Sequence, residues 1–121
     1  MDNNFQINEK LYRAVYPSEI MEMYWKKDGS ISSAALADPK GLSVDRGYFR
    51  TDTAVVSEMR KKFTGNIIFL YVKHCLDIGA IVKYLPSKNN PYHCEIHRSE
   101  EKILLSKSQR HFLANKAVLV Y

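Results

Sequence analysis

TDTAVVSEMRKKFTGNIIFLYV, residues 51–72, is the stretch that decides the fold. Its first part has the marks of a helix. Thr51 or Thr53 can cap it, Asp52 sits near the positive end of the helix dipole, and Arg60, Lys61 and Lys62 crowd the negative end. Gly65 is a suitable stop. Val55, Val56, Met59 and Phe63 share one face at helical spacing. The second part, NIIFLYV (66–72), is a nearly continuous apolar run of strand length, the pattern of a strand covered on both faces. A helix with one apolar stripe next to such a strand predicts a sheet with helices laid against it.

Working outward, KLYRAVY (10–16) alternates as a first strand, with Leu11, Arg13 and Val15 on one side and Tyr12, Ala14 and Tyr16 on the other. Pro17 ends it, and SEIMEMYW (18–25) predicts a short helical turn. KKDGSISSAALADPKG (26–41) has turn chemistry at both ends and a small, uncharged middle, so it reads as a loop held close to the body. GLSVDRGYF (41–49) is a second strand. KHCLDIG (73–79) has room for one or two helical turns, and AIVKYL (80–85) and PYHCEIHR (91–98) are further strands. In SKSQRHFLANKA (106–117) Ser106 and Gln109 have capping-box spacing, which predicts the second main helix. VLVY (118–121) can add a last short strand.

This order predicts an α+β fold: a single compact domain over residues 9–121 with a mixed or antiparallel sheet and two main helices, preceded by a flexible leader, residues 1–8. The expected arrangement puts NIIFLYV at the centre. Val55, Met59, Phe63, Ile68, Leu70, Ile81, Phe112 and Leu113 are expected in one core.

Four segments taken together, LYRAVYP (11–17), DGSISSAAL (28–36), GLSVDR (41–46) and NNPYHCEI (89–96), resemble a group of small bacterial proteins of unknown function. In that group an Arg-containing first strand is followed by Ser-Ser-x-x-Phe, Leu-Ser-Val-Asp and Asn-Pro-x-His segments. The chain departs from the pattern at Leu36, where the group has Phe. The resemblance implies no activity. It implies that Arg13, Ser32, Ser33, Ser43, Asp45, Asn90 and His93 belong together in space.

The remaining bounds are chemical. With 121 residues, 45% hydrophobic and 26% charged, the chain has the composition of a globular domain and not of a disordered segment. No apolar run approaches the roughly 20 residues that span a bilayer. The N-terminus has no signal-peptide pattern, and Cys75 and Cys94 form neither a disulfide framework nor a C-x-x-C pair, so a cytoplasmic location is expected. A net charge of +5 favours anionic partners. The basic residues lack the aromatic interleaving of an RNA-binding motif, which leaves only a weak signal for nucleic acid.

His93, Glu95 and His97 alternate along one strand and so share a face, with Cys94 and Ile96 turned to the core. Two imidazoles and a carboxylate suit general acid–base chemistry near neutral pH. Three alternate residues span about 13 Å, too far to hold one ion, so no metal is expected. The competing reading is a solvated strand face with His97 exposed. His93 is the stronger candidate because Asn90-Pro91 fix the turn before it. Arg13 interrupts an apolar strand. It must snorkel outward, pair with Asp45 or Glu95, or present its fork to a phosphate or carboxylate.

The expectation that follows has Arg13, Ser32, Ser33, Ser43 and Asn90 binding a phosphate-bearing ligand such as a nucleotide. His93 acts as acid or base, and Glu95 or Asp45 orients it. Arg13 and His93 would then lie within about 10 Å of one another at one cleft, since each direct contact takes roughly 3 Å. No cofactor and no membrane partner are implied. The alternative is a non-catalytic protein-binding module, such as the partner of a toxin or of a larger enzyme.

Overall fold

The computed structural model describes residues 1–121. Six strands form one antiparallel sheet: β1 (Lys10–Val15), β2 (Leu42–Arg46), β3 (Asn66–Tyr71), β4 (Ile81–Tyr84), β5 (His93–His97) and β6 (Val118–Leu119). Their spatial order is β4-β5-β2-β1-β3-β6. Three α-helices, α1 (Asp52–Arg60), α2 (Val72–Asp77) and α3 (Lys107–Lys116), complete an α+β fold. Short 3₁₀ turns occupy Glu22–Tyr24 and Ser33–Leu36, the second within the close-lying loop. No helix is long and apolar enough to cross a membrane.

The local signals act as the sequence requires. Thr51 Oγ1 accepts from the Ala54 N–H at 3.1 Å, which caps α1. Ser106 and Gln109 close a reciprocal capping box on α3. β3 is buried through Ile67–Leu70 and lies between β1 and the two-residue β6, so it is interior, but the centre expected for it is held by β2 and β1.

The expected single core is instead two. Alternation along β3 sends Ile68 and Leu70 to one face and Ile67 and Phe69 to the other. The first face carries the large cluster, with Leu11, Val15, Leu42, Val44, Cys94 and Ile96 packed under α2, α3 and the 26–41 loop; Leu113 belongs to it and Phe112 packs against it. The second face carries five buried residues, Tyr12, Val55, Met59, Ile67 and Phe69, where α1 covers β1 and β3. Phe63 belongs to neither core and is 46% exposed, because α1 ends before it. Ile81 is only half-buried on β4, at the sheet edge.

Residues 1–8, expected as a loose leader, run against the body through Arg46. This arginine is fully buried. Its Nε and Nη2 donate to Glu9 at 2.8 and 2.9 Å, and Nη1 and Nη2 donate to the carbonyls of Asp2 and Asn4 at 2.6 and 3.1 Å. Phe5, Tyr48 and Tyr84 present ring faces to its guanidinium. The turn after β2 carries two non-glycine residues in the left-handed region, Tyr48 (φ 45°) and Phe49 (φ 66°). Backbone of that kind costs on the order of 1–3 kcal/mol per residue and persists only where neighbours hold it.

Candidate functional site

β1 and β3 lie under α1, but β2, β5 and β4 extend past it. The uncovered part of that sheet face carries a polar row. Cross-strand register sets Asp45 opposite His93 and Ser43 opposite Glu95, with Lys83 of β4 on the other side of Glu95. Between this row and the C-terminal end of α1 is a cavity of about 450 Å³. Arg13, Ser43, Asp45, Lys62, Asn90 and His93 line it, with Met59 and Phe63 as apolar wall.

Each of these groups is held by the chain around it. Ser87 and Asn90 exchange backbone hydrogen bonds that close the turn before β5. Asn90 then gives its side-chain amide to Asp45 Oδ1 at 2.8 Å and accepts from the Tyr92 N–H at 3.1 Å. The Asn-Pro turn is thereby fastened to β2. Lys62 Nζ donates to the Asn89 carbonyl at 2.9 Å, a link from α1 to the same turn across the cleft.

Glu95 stands between two imidazoles. His97 Nε2 lies 2.8 Å from Oε1, and His93 Nε2 lies 3.5 Å from Oε2. The exposed His97 of the competing sequence reading is overturned: it is 9% exposed and tied to Glu95. Gly41 is the reason there is room. Its φ is +110°, and a Cβ there would fall 2.3 Å from Glu95 Oε1 and 3.0 Å from His97 Nε2. Only a residue without a side chain lets the chain pass over this pair.

Arg13 takes none of the carboxylate partners expected for it. Its side chain begins on the large-core face with Leu11 and Val15. Nε donates to the Ala35 carbonyl at 3.3 Å and Nη1 to the Ser43 carbonyl at 3.0 Å. The β1–β2 ladder ends at Tyr12–Asp45, so the guanidinium bridges the place where the two strands part. Burial pushes its pKa down from the ordinary arginine value, and the more distant Asp38 pulls the other way. Arg13 is thus a half-buried cation with backbone carbonyls but no ion pair.

Of the residues expected to gather, Ser43, Asp45, Asn90 and His93 line one cavity, and Glu95 supports His93 from behind; Arg13 borders the cavity where β1 and β2 part, with its side chain directed to Ala35 on the opposite face. Ser32 and Ser33 do not join them. Ser32 Oγ donates to the Met23 carbonyl, and the 3₁₀ turn that begins at Ser33 buries Ala35 and Leu36 in the large core on the other face. No group of three or more His, Cys, Asp or Glu side chains is placed to hold a metal.

Lys62 was missed in the sequence, where it read only as one of three cations at the negative end of the helix. The signal was present: Lys62 follows Met59 by three residues, the interval that places two side chains on one helix face. Comparison with family models, with curated proteins and with solved structures gave no match.

Proposed function

We propose that the cleft between α1 and the β2–β5 row binds a small phosphate-bearing ligand of the nucleotide class, and that His93 moves a proton on it. The observation that carries this reading is the company His93 keeps: its cavity of about 450 Å³ is lined by Lys62, Ser43 and the Asp45–Asn90 pair, with Glu95 3.5 Å from the imidazole. Lys62, whose Nζ is held at the Asn89 carbonyl, is the cation on the α1 side of this cavity. A phosphate beside Lys62 would give that cation a counter-charge, with Ser43 and Asn90 as neighbouring hydrogen-bonding groups.

His93 is given the proton-moving role because Glu95 can hold its ring orientation, while His97 holds Glu95 in turn. Ser43 and the Asp45–Asn90 pair offer hydrogen bonds for the rest of the ligand. A size of about 450 Å³ falls within the range usual for small-molecule sites.

Calorimetric titration with inorganic phosphate, AMP and ADP at low ionic strength tests the reading. The expected result is binding that weakens as salt is added, falls at least tenfold in Lys62→Ala, and survives in His93→Gln. Circular dichroism on Lys62→Ala guards against a folding defect. Absence of binding for every phosphate-bearing compound would end this reading, and the protein-binding module would take its place.

A further inference from the structure

A second cavity, of about 430 Å³, lies at the other end of α1, with Gln6, Asn8, Lys10, Phe49, Thr51 and Asp52 in its wall. Phe49 is the feature to explain. It is 80% exposed, the most exposed large hydrophobic residue in the chain. It is also held there against its own backbone preference, as the second of two left-handed residues.

The turn that holds it is bonded on every side. The Tyr48 N–H donates to Glu9 Oε2 at 3.2 Å, and the Tyr48 ring lies over the Arg46 guanidinium. Arg50 folds back, with Nε on the Gly47 carbonyl at 3.0 Å and Nη2 on the Arg46 carbonyl at 2.7 Å. The Tyr48 ring packs against Phe49 edge to face at 5.1 Å, which leaves the Phe49 ring supported but uncovered. A fold that needed only to reverse direction here would use glycine. Strain retained by this many bonds, to keep an aromatic ring in water beside a cavity, is the signature of a contact surface.

The rest of the cavity names the ligand. Its wall mixes aromatic surface from Tyr12, Tyr48 and Phe49 with hydrogen-bonding side chains. The amides of Gln6 and Asn8 are exposed, each offering donors and an acceptor. Asp52 is an acceptor fixed in place by Tyr12 and Lys10. A flat ring with one π-face for Phe49 and a donor–acceptor edge for amides and a carboxylate is a nucleobase. An apolar side chain would leave those polar groups unmatched.

The geometry points to a nucleobase-binding site at the Tyr48–Phe49 turn, in which the base stacks on Phe49 and presents an amino-bearing edge to Asp52 and the Gln6 and Asn8 amides. It stands apart from the cleft that His93 lines and does not depend on the reading given to that cleft. The base can come from a free nucleoside or from a single-stranded nucleic acid.

NMR titration of the full-length chain, followed through the backbone amides of residues 47–52, tests this with adenosine, cytidine, ribose and a short single-stranded oligonucleotide. Both nucleosides should shift these amides and ribose should not. Phe49→Ala should weaken binding about tenfold or more, as loss of a base–aromatic stack does. Phe49→Gly removes the ring and relieves the left-handed strain together. It should lose binding while melting no lower than the parent, which separates the ring from the integrity of the turn. An oligonucleotide that binds tighter than the nucleosides, with strong salt dependence, assigns the base to a nucleic acid strand. Equal affinity assigns it to the free nucleoside. Unchanged binding in Phe49→Ala, equal shifts with ribose, or no shift with any base at millimolar concentration overturns the site.

Discussion

Replacing Gly41 with alanine should strike the fold and the candidate cleft through one methyl group. Two costs add. At φ +110° any L-residue is strained, which is on the order of 1–3 kcal/mol. The new Cβ would also stand 2.3 Å from Glu95 Oε1, inside contact distance, so the carboxylate must swing away from His97. Loss of that part-buried hydrogen bond adds about 1 kcal/mol. The sum is about 2–4 kcal/mol, or a fall of roughly 8–16 °C in melting temperature for a chain of this size. Gly29→Ala is the control. It has a positive φ of 87° with nothing within 4 Å of its Cβ, so it carries backbone strain and no clash. Melting followed by circular dichroism measures both variants, and long-range ¹H–¹⁵N spectra of the imidazoles report whether His97 and His93 have changed surroundings. If Gly41→Ala melts no lower than Gly29→Ala and leaves both imidazoles untouched, the account of Gly41 as the opening for the Glu95–His97 pair is wrong.

Glu9→Ala should cost about 3–5 kcal/mol in urea unfolding, because it strands the fully buried Arg46 without its carboxylate. The double variant Glu9→Leu with Arg46→Met should lose less than Glu9→Ala alone; a larger loss would show that the pair is worth more than its desolvation. Asp52 has its pKa pulled down, first by the hydrogen bond from Tyr12 and then by Lys10, although partial burial opposes this. A depressed folded-state pKa contributes stability that is present above the unfolded value near 4 and is lost as pH falls through the folded value. Asp52→Asn should therefore flatten the acid limb of melting temperature against pH below about 4, where Asp28 and Glu58, shifted in the same direction, continue to act. Burial pushes the thiols of Cys75 and Cys94 up to about 12, so neither should react with a disulfide reagent at mildly alkaline pH until the chain is unfolded. Labelling of either cysteine in the native protein would contradict their placement.

The elements were legible because their signals are local. The Thr51 cap, the Ser106–Gln109 box and the unbroken apolar run of β3 each lie within a few residues of sequence. The row of His93, Glu95 and His97 was legible for the same reason, since alternation along a strand needs no partner. What became of the row was not. His97 is buried because β2 runs beside β5 with Leu42 opposite Ile96, which brings Gly41 over the imidazole from some fifty positions away. Arg46 gave no hint of its burial within LSVDRG, because its partners are an acid and two carbonyls from the first nine residues. Ser32 and Ser33 were grouped with the site by the resemblance of their segment. Where they lie depends on which face of the sheet the 26–41 loop crosses, and nothing inside that loop specifies the face.

The unequal covering of the sheet has a kinetic consequence. Seventeen buried residues lock α2, α3 and the long loop to one face, while five hold α1 to the other. The layer with the smaller apolar seam has the lower free energy of local opening. That layer is also one wall of the cleft, closed at the turn before β5 by the single Lys62–Asn89 link. Amide exchange should therefore be faster in α1 than in β1 and β3 beneath it, and a ligand in the cleft should slow it. The nine-residue helix is thus the wall of the cleft most able to give way, while the sheet beneath it stays fixed.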